Sequence, residues 1–224
     1  MKVVFIRHGE SLSNATTDVV SLSRAEGDRL TERGFAQARD AGRWLAGLDR
    51  PDLLLASPMR RARETAETIA AEIGGAAIRF DVEPAIIELA ESSDYAELPV
   101  AEQIGQRWAT RMLRNAGDPG HSIGDGESFA AMVARVHAAK RRLESESADL
   151  IFAVSHGIFL RFFLLDTVLG EALTPHMAER MWQLGSFNCS LSVFELRGGE
   201  DAIKDPAPDA WRALTWMSRP WESI

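Results

Sequence analysis

A chain of 224 residues, 46% hydrophobic and 26% charged, is long enough to bury one sizeable core, or a core with a cap. Its formal net charge of −8 weighs against nucleic acid as a partner, because a phosphate backbone selects faces rich in Lys and Arg. The single cysteine, Cys189, rules out an internal disulfide framework and fits a reducing compartment. The apolar start, Val3 to Ile6, is too short for a signal peptide. The later run from Ile158 to Leu169 is broken by Arg161 and Asp166 and is too short to span a bilayer. These features predict a soluble, cytoplasmic protein with no membrane partner.

Residues 2–6 read as a buried strand, β-branched and aromatic without alternation. A polar stretch from Ser11 to Arg29 reads as loop or partly helical. Thr31 is placed to cap a helix reaching about Leu48, with Phe35, Ala38, Gly42 and Leu45 on one face. Asp52 to Ala56 reads as a second strand. Ser57-Pro58 then predicts a helix start, a capping hydroxyl followed by proline at the first helical position. That helix carries Arg60, Arg61, Arg63 and Thr65 and stops at Gly74-Gly75.

Ala77 to Val82 reads as a third strand. Residues 84–125 form a variable, cap-like segment with an acidic entry and a helix over Gln103 to Asn115. On that helix Arg107, Arg111 and Arg114 share a face, which a solvated surface explains better than an anionic ligand does. From Ser128 a helix presents Phe129, Met132, Val133, Val136 and Leu143 as one stripe. Leu150 to Val154 reads as a strand, followed by a very apolar helix to about Leu169. Ser190 to Leu196 and Trp211 to Trp216 read as the last strands. Strands alternating with helices over a single domain, residues 1–224, predict an α/β three-layer sandwich. Its central sheet is mostly parallel and flanked by helices.

The same word ends two of these strands: His8-Gly9 after the first, His156-Gly157 after the Leu150 strand. Ligands of open α/β sheets bind outside the carboxyl ends of the strands. Two imidazoles with Arg7 at such ends suit chemistry on a phosphate monoester. Arg7 and an arginine of the Ser57 helix fit as a clamp, because a guanidinium fork offers paired hydrogen bonds and keeps its charge. His8 fits as a nucleophile attacking phosphorus in line, provided its other ring nitrogen donates to something fixed. Gly9 permits close backbone approach. A carboxyl must protonate the leaving alkoxide. Nothing in this scheme requires a metal or another cofactor.

These residues also carry a family resemblance. Arg7-His8-Gly9-Glu10-Ser11, with Asn14 three residues on, resembles the signature of the histidine phosphatase superfamily, the phosphoglycerate mutase-like proteins. Leu30-Thr31-Glu32-Arg33-Gly34 with Gln37-Ala38 is similar to the next block, and Ser57-Pro58-Met59-Arg60-Arg61-Ala62-Arg63-Glu64-Thr65 to the third. Gly126-Glu127-Ser128 and Ser155-His156-Gly157 resemble the last two. The resemblance implies His8 as the phosphorylated nucleophile, with Arg7, Arg61 and His156 around the phosphate. Asn14, Gly9, Ser155 and Gly157 would be contacts of a small phosphorylated substrate. Ile86-Ile87-Glu88 stands where the family carries its acid in a Leu-x-Glu context. The Gly-x-Trp-Glu-Gly that usually follows is replaced by Ala90-Glu91-Ser92-Ser93-Asp94, so Glu88 and Glu91 both remain candidates. Glu64 replaces a common glutamine.

A phosphomonoesterase acting through phosphohistidine is therefore expected. A phosphoglycerate mutase is the first alternative, although Ser13 stands where that branch has a tryptophan. A catalytically silent phospho-ligand-binding protein on the same fold is the second. A metal hydrolase built on His8, His156 and Glu88 is disfavoured, because Arg7 and Arg61 would repel the cation. His121, His137 and His176 read as structural or exposed.

Overall fold

Three strands, β1 (Lys2–Arg7), β2 (Leu53–Ala56) and β4 (Leu150–Ser155), are buried almost throughout, and successive side chains turn to opposite faces, which builds the layers. Val3, Phe5, Leu53, Leu55, Ile151 and Ala153 join one core with Met132, Val136, Phe159 and Phe163. Val4, Ile6, Leu54, Ala56, Phe152 and Val154 join the opposite core with Leu45, Ala62 and Ile69. A strand covered by helices on both faces has no polar side to show, so its sequence is apolar throughout.

The computed structural model describes residues 1–15, 24–74, 78–93, 117–197 and 211–222. The sheet has six strands in the order β3-β2-β4-β1-β5-β6, where β3 is Arg79–Val82, β5 is Leu191–Leu196 and β6 is Trp211–Ser218. The first four run parallel, and β5 pairs antiparallel with both β1 and β6. The expected α/β sandwich with a mostly parallel sheet is thus present. The order places β1 beside β4, with Arg7 opposite Ser155, so the two His-Gly words end neighbouring strands.

Two short helices, α1 (Leu12–Ala15) and α2 (Arg24–Gly27), fall in the polar stretch. Helix α3 (Glu32–Leu45) starts as expected, with Thr31 Oγ1 accepting from Gly34 N–H at 2.9 Å. It ends short of Leu48, which lies in a turn closed by the Leu48 N–H to Leu45 carbonyl bond. Helix α4 (Arg60–Glu72) corrects the sequence reading. Its N-cap is Met59 and bears no side-chain cap bond, so Ser57 and Pro58 precede the helix. It stops at Gly74, whose φ of 76° suits glycine.

Helix α5 (Phe129–Glu144) is capped by Ser128 and buries Phe129, Met132, Val136, Ala139 and Leu143. Helix α6 (Gly157–Leu169) follows β4 directly and packs Phe159, Leu160, Phe162 and Phe163 into the core. A short helix α7 (Pro175–Ala178) leads toward β5. Trp211 is buried edge-on to Phe163, and Trp221 leans on Trp44 at 6.2 Å. The predicted Gln103–Asn115 helix with Arg107, Arg111 and Arg114, and the carboxylate of Asp94, lie outside the described residues. No described helix is long and apolar enough to cross a membrane.

Candidate active site

Three parallel strands end side by side, and each end delivers one polar side chain: His8 after β1, Ser57 after β2 and His156 after β4. The ladder continues one step past β1 and β2, which fixes His8 and Ser57 tightly. His8 N–H donates to Ser155 O at 2.9 Å and Ser57 N–H to Val154 O at 3.0 Å. All three side chains are buried, as Gly9 is. The rings of His8 and His156 lie 5.1 Å apart, centre to centre, at 54°.

The bonds of His8 define its tautomer. Nδ1 lies 2.7 Å from the Gly9 carbonyl, which can only accept, so Nδ1 carries the proton. Nε2 lies 3.2 Å from Arg61 Nε, which can only donate, so Nε2 presents a lone pair. Burial first, then the charges of Arg61 and Arg7, hold the imidazole pKa well below the usual 6.5. At neutral pH His8 is therefore an uncharged ring with its free nitrogen facing a guanidinium.

Neighbouring segments hold this geometry. Gly9 N–H donates to Thr65 Oγ1 at 3.0 Å, and Thr65 Oγ1 donates to the Arg61 carbonyl at 2.7 Å, pinning α4 to the end of β1. Glu10 N–H donates to Gln37 Oε1 at 2.9 Å, and Thr31 Oγ1 donates to Glu10 Oε1 at 2.8 Å. Gly9 and Gly34 touch backbone to backbone: a Cβ on Gly9 would lie 2.6 Å from the Gly34 carbonyl oxygen. Both residues belong to blocks that carry the family resemblance.

His156 is held differently. Its Nε2 pairs with Ser57 Oγ at 2.7 Å, and its buried Nδ1 has no hydrogen-bond partner among the described residues. Burial, then Arg61 and His8, push its pKa well down as well. Arg7 donates from Nη1 to the Ser186 carbonyl at 2.7 Å, while its buried Nε and the Ser186 hydroxyl are unpartnered among the described residues. Burial lowers the Arg7 pKa to about 10, so its charge persists at neutral pH. Gly157 keeps this corner open: a Cβ there would lie 3.0 Å from Ser186 Oγ and 3.4 Å from both Arg7 Nε and Arg161 Nη1. Unpaired buried polar atoms are costly, and here they line one corner beside two cations.

Glu88 sits at the start of α6. Its carboxylate accepts from Ile158 N–H at 3.2 Å, Phe159 N–H at 3.1 Å and Leu89 N–H at 3.0 Å. It hydrogen-bonds neither imidazole, but Arg7 and Arg161 both feel its charge. Arg135 holds the Glu88 segment from behind, donating to the Ile87 carbonyl at 2.6 Å and pairing with Glu127 at 2.7 Å. Glu91, the other candidate acid, is half-buried three residues on.

Of the residues read from the sequence, His8, Arg7, Gly9, Arg61, His156 and Gly157 meet here, and Glu88 adjoins them. Ser155 does not join the cluster: its hydroxyl donates to the Ile86 carbonyl at 2.8 Å and so ties β4 to the Glu88 segment. Asn14 is exposed on α1 and shares none of these contacts. The sequence reading missed Ser57, Ser186 and Arg161. Ser57 ends a strand as both histidines do, and that position was the available signal. Arg161 is the one basic residue of the mostly apolar α6.

A model of the histidine phosphatase superfamily (branch 1) matches residues 3–207. The chain belongs to this family. Over 223 residues it is 33% identical to the probable phosphoglycerate mutase GpmB of Salmonella arizonae, covering 97% of this chain and 90% of the relative. Among solved structures of this fold, the alpha-ribazole phosphatase of Shigella flexneri superposes with a TM-score of 0.67 at 24% identity, covering 97% and 96% of the two chains. The phosphoserine phosphatase of Entamoeba histolytica in complex with phosphoserine gives 0.69 at 19%, covering 98% of each chain. A mycobacterial glucosyl-3-phosphoglycerate phosphatase with VO3 gives 0.68 at 23%, covering 97% and 99%. The family match establishes an enzyme type concerned with phosphoryl chemistry, and the superpositions establish the fold.

Proposed function

We propose that this histidine phosphatase family member is a phosphomonoesterase that works through a phosphohistidine. One observation carries the reading. His8 Nδ1 is bound to the Gly9 carbonyl, so the lone pair of Nε2 points at Arg61 inside a buried, cationic cluster. A nucleophile needs one fixed, protonated nitrogen and one free nitrogen, and His8 has both.

In this scheme the substrate phosphoryl displaces the weak Arg61–His8 contact. Arg7, Arg61 and His156 take its oxygens, and Nε2 attacks phosphorus in line. The Nε2–P bond forms as the ester P–O bond breaks, and the leaving alkoxide takes the proton that Glu88 acquires when the anionic substrate binds beside it. Water then attacks phosphorus and gives a proton back to Glu88. The P–N bond breaks, releasing inorganic phosphate and neutral His8. Prepositioned positive charge supplies most of the acceleration. No step calls for a metal, and the substrate is a small phosphorylated molecule.

Phosphorylated metabolites incubated with the enzyme and chelator should release phosphate, and His8→Ala should lower turnover by on the order of 10³-fold or more. Turnover near that of the wild type in His8→Ala would end the phosphohistidine scheme. The mutase relatives support a second reading, in which bound product recaptures the phosphoryl group before water does. Interconversion of 2- and 3-phosphoglycerate faster than phosphate release would favour it. Binding of phosphorylated ligands with no burst of leaving alcohol would instead mark a silent binding protein.

A further inference from the structure

Helix α4 carries Arg61 but lacks a cap of its own. Met59 at its N-cap makes no side-chain cap bond, and the Ser57 hydroxyl, paired with His156 at 2.7 Å, reaches only the Met59 N–H, at 3.3 Å. The Arg60 N–H at the head of the helix is met from another segment, by Asp28 Oδ2 at 2.8 Å. Asp28 follows α2 directly. Its other oxygen, Oδ1, accepts from Arg61 Nη1 at 2.5 Å. The two side chains are only 13% and 19% exposed, so water screens this pair little. One carboxylate therefore holds both the helix and the guanidinium it presents. The segment is anchored in return, because Leu30 N–H donates to Glu64 Oε2 at 2.7 Å.

The way Asp28 engages the fork matters. A guanidinium can offer two donors to an oxyanion along its Nη1–Nη2 end or along its Nε–Nη2 side. Asp28 occupies Nη1, which leaves the side edge. On that edge Nε meets His8 Nε2 at 3.2 Å and Nη2 meets Met59 Sδ at 3.2 Å. An imidazole lone pair and a thioether compete weakly with a phosphoryl oxygen for charged donors. The edge turned toward His8 is thus held in place yet available.

We propose that Asp28 is a positioning residue for phosphoryl transfer: it caps α4 from outside and aims the Nε–Nη2 edge of Arg61 at the group on His8. The inference rests on the reading of Arg61 as a phosphate ligand given above. It concerns a residue outside every block that carries the family resemblance.

The test compares Asp28→Ala in the wild-type and Arg61→Ala backgrounds, reading kcat and KM on p-nitrophenyl phosphate, vanadate affinity and Tm. In the wild-type background kcat and vanadate affinity should each fall about tenfold or more, with KM moving less. In the Arg61→Ala background both should change by less than about twofold, because the residue being aimed is gone. Tm should fall in both backgrounds, since the cap is lost in both. Asp28→Asn serves where the alanine variant melts too low to assay. Equal losses in the two backgrounds, or no loss in the first, would overturn the proposal. Retained turnover in His8→Ala would defeat the phosphohistidine scheme alone, because the vanadate comparison judges Asp28 without turnover.

Discussion

His8 and His156 end adjacent parallel strands in the same two-residue word, yet the fold makes them different groups. His8 is oriented by its own neighbour, the Gly9 carbonyl, and by Arg61 across the cleft. His156 is oriented by Ser57, 99 residues away in the chain, and keeps a buried nitrogen without a partner among the described residues. The difference separates two tasks. A ring with a fixed tautomer and a lone pair facing a cation can attack. A ring with a buried nitrogen left open beside Arg7 and Arg61 can hold what is transferred. Sequence identity at a strand end sets where a side chain sits, and its hydrogen-bond partners set what it does.

The largest contrast is expected from the histidines themselves. His156→Ala should lower kcat by about 10²–10³-fold, the usual effect of removing one oxyanion donor. It should nonetheless leave His8 able to accept a phosphoryl group, which a labelled substrate and acid-labile, base-stable label on the protein would reveal. Loss of labelling as complete as in His8→Ala would erase the distinction between the two rings.

The paired glycines come next. Gly9→Ala forces a Cβ against the Gly34 backbone oxygen, and neither chain can turn away. Urea denaturation should give a loss of about 1–3 kcal/mol, as overpacking does. Gly157→Ala meets the Ser186 hydroxyl, a rotor that can move, so its stability should change by about 1 kcal/mol or less. Its activity should still fall, since the new methyl enters the corner lined by Arg7 and Arg161. Equal stability losses would mean that the two strand ends are packed alike.

Ser57→Ala sharpens the comparison from the other side. It removes the Nε2 bond that orients His156 and leaves a buried ring nitrogen unpaired, costing about 1–2 kcal/mol. The His8 bonds are untouched, so kcat should fall while phosphorylation of His8 persists.

The smallest effect is in pH. Both imidazoles have native pKa values well below the usual 6.5, through burial and then the nearby arginine charge. Between the native and unfolded values the unfolded chain binds more protons, so stability rises with pH there. The contribution is full above about 6.5 and is lost as the pH falls below it. Thermal melts from neutral to acid pH should show a decline that His156→Gln makes shallower. A decline identical to wild type would assign the acid sensitivity to other groups.

Much of this molecule was legible in the sequence because the physics involved is local. Unbroken apolar runs named the strands buried on both faces. Thr31 and Ser128 marked helix starts, and Gly74 marked a stop. The strand-end histidines pointed to a site before any neighbour was known. What misled was also local: Ser57-Pro58 has the composition of a helix cap, but the hydroxyl pairs with His156 and reaches no further into the helix than the Met59 N–H, so α4 begins at Arg60. Ser155 shares the motif with His156 but spends its hydroxyl on Ile86, because alternation along β4 turns it to the other side.

The sequence by itself determined the layered α/β class, the family blocks and the identity of the chemical groups, since periodicity, caps and motif spacing act over a few residues. Only the tertiary structure decided which of those groups meet. It brought β1 next to β4, gave His8 its tautomer, set Glu88 at the head of α6 and placed Asp28 on Arg61. Each of these is a contact between segments far apart in the chain, and no local propensity encodes a partner that folding alone brings within hydrogen-bond reach.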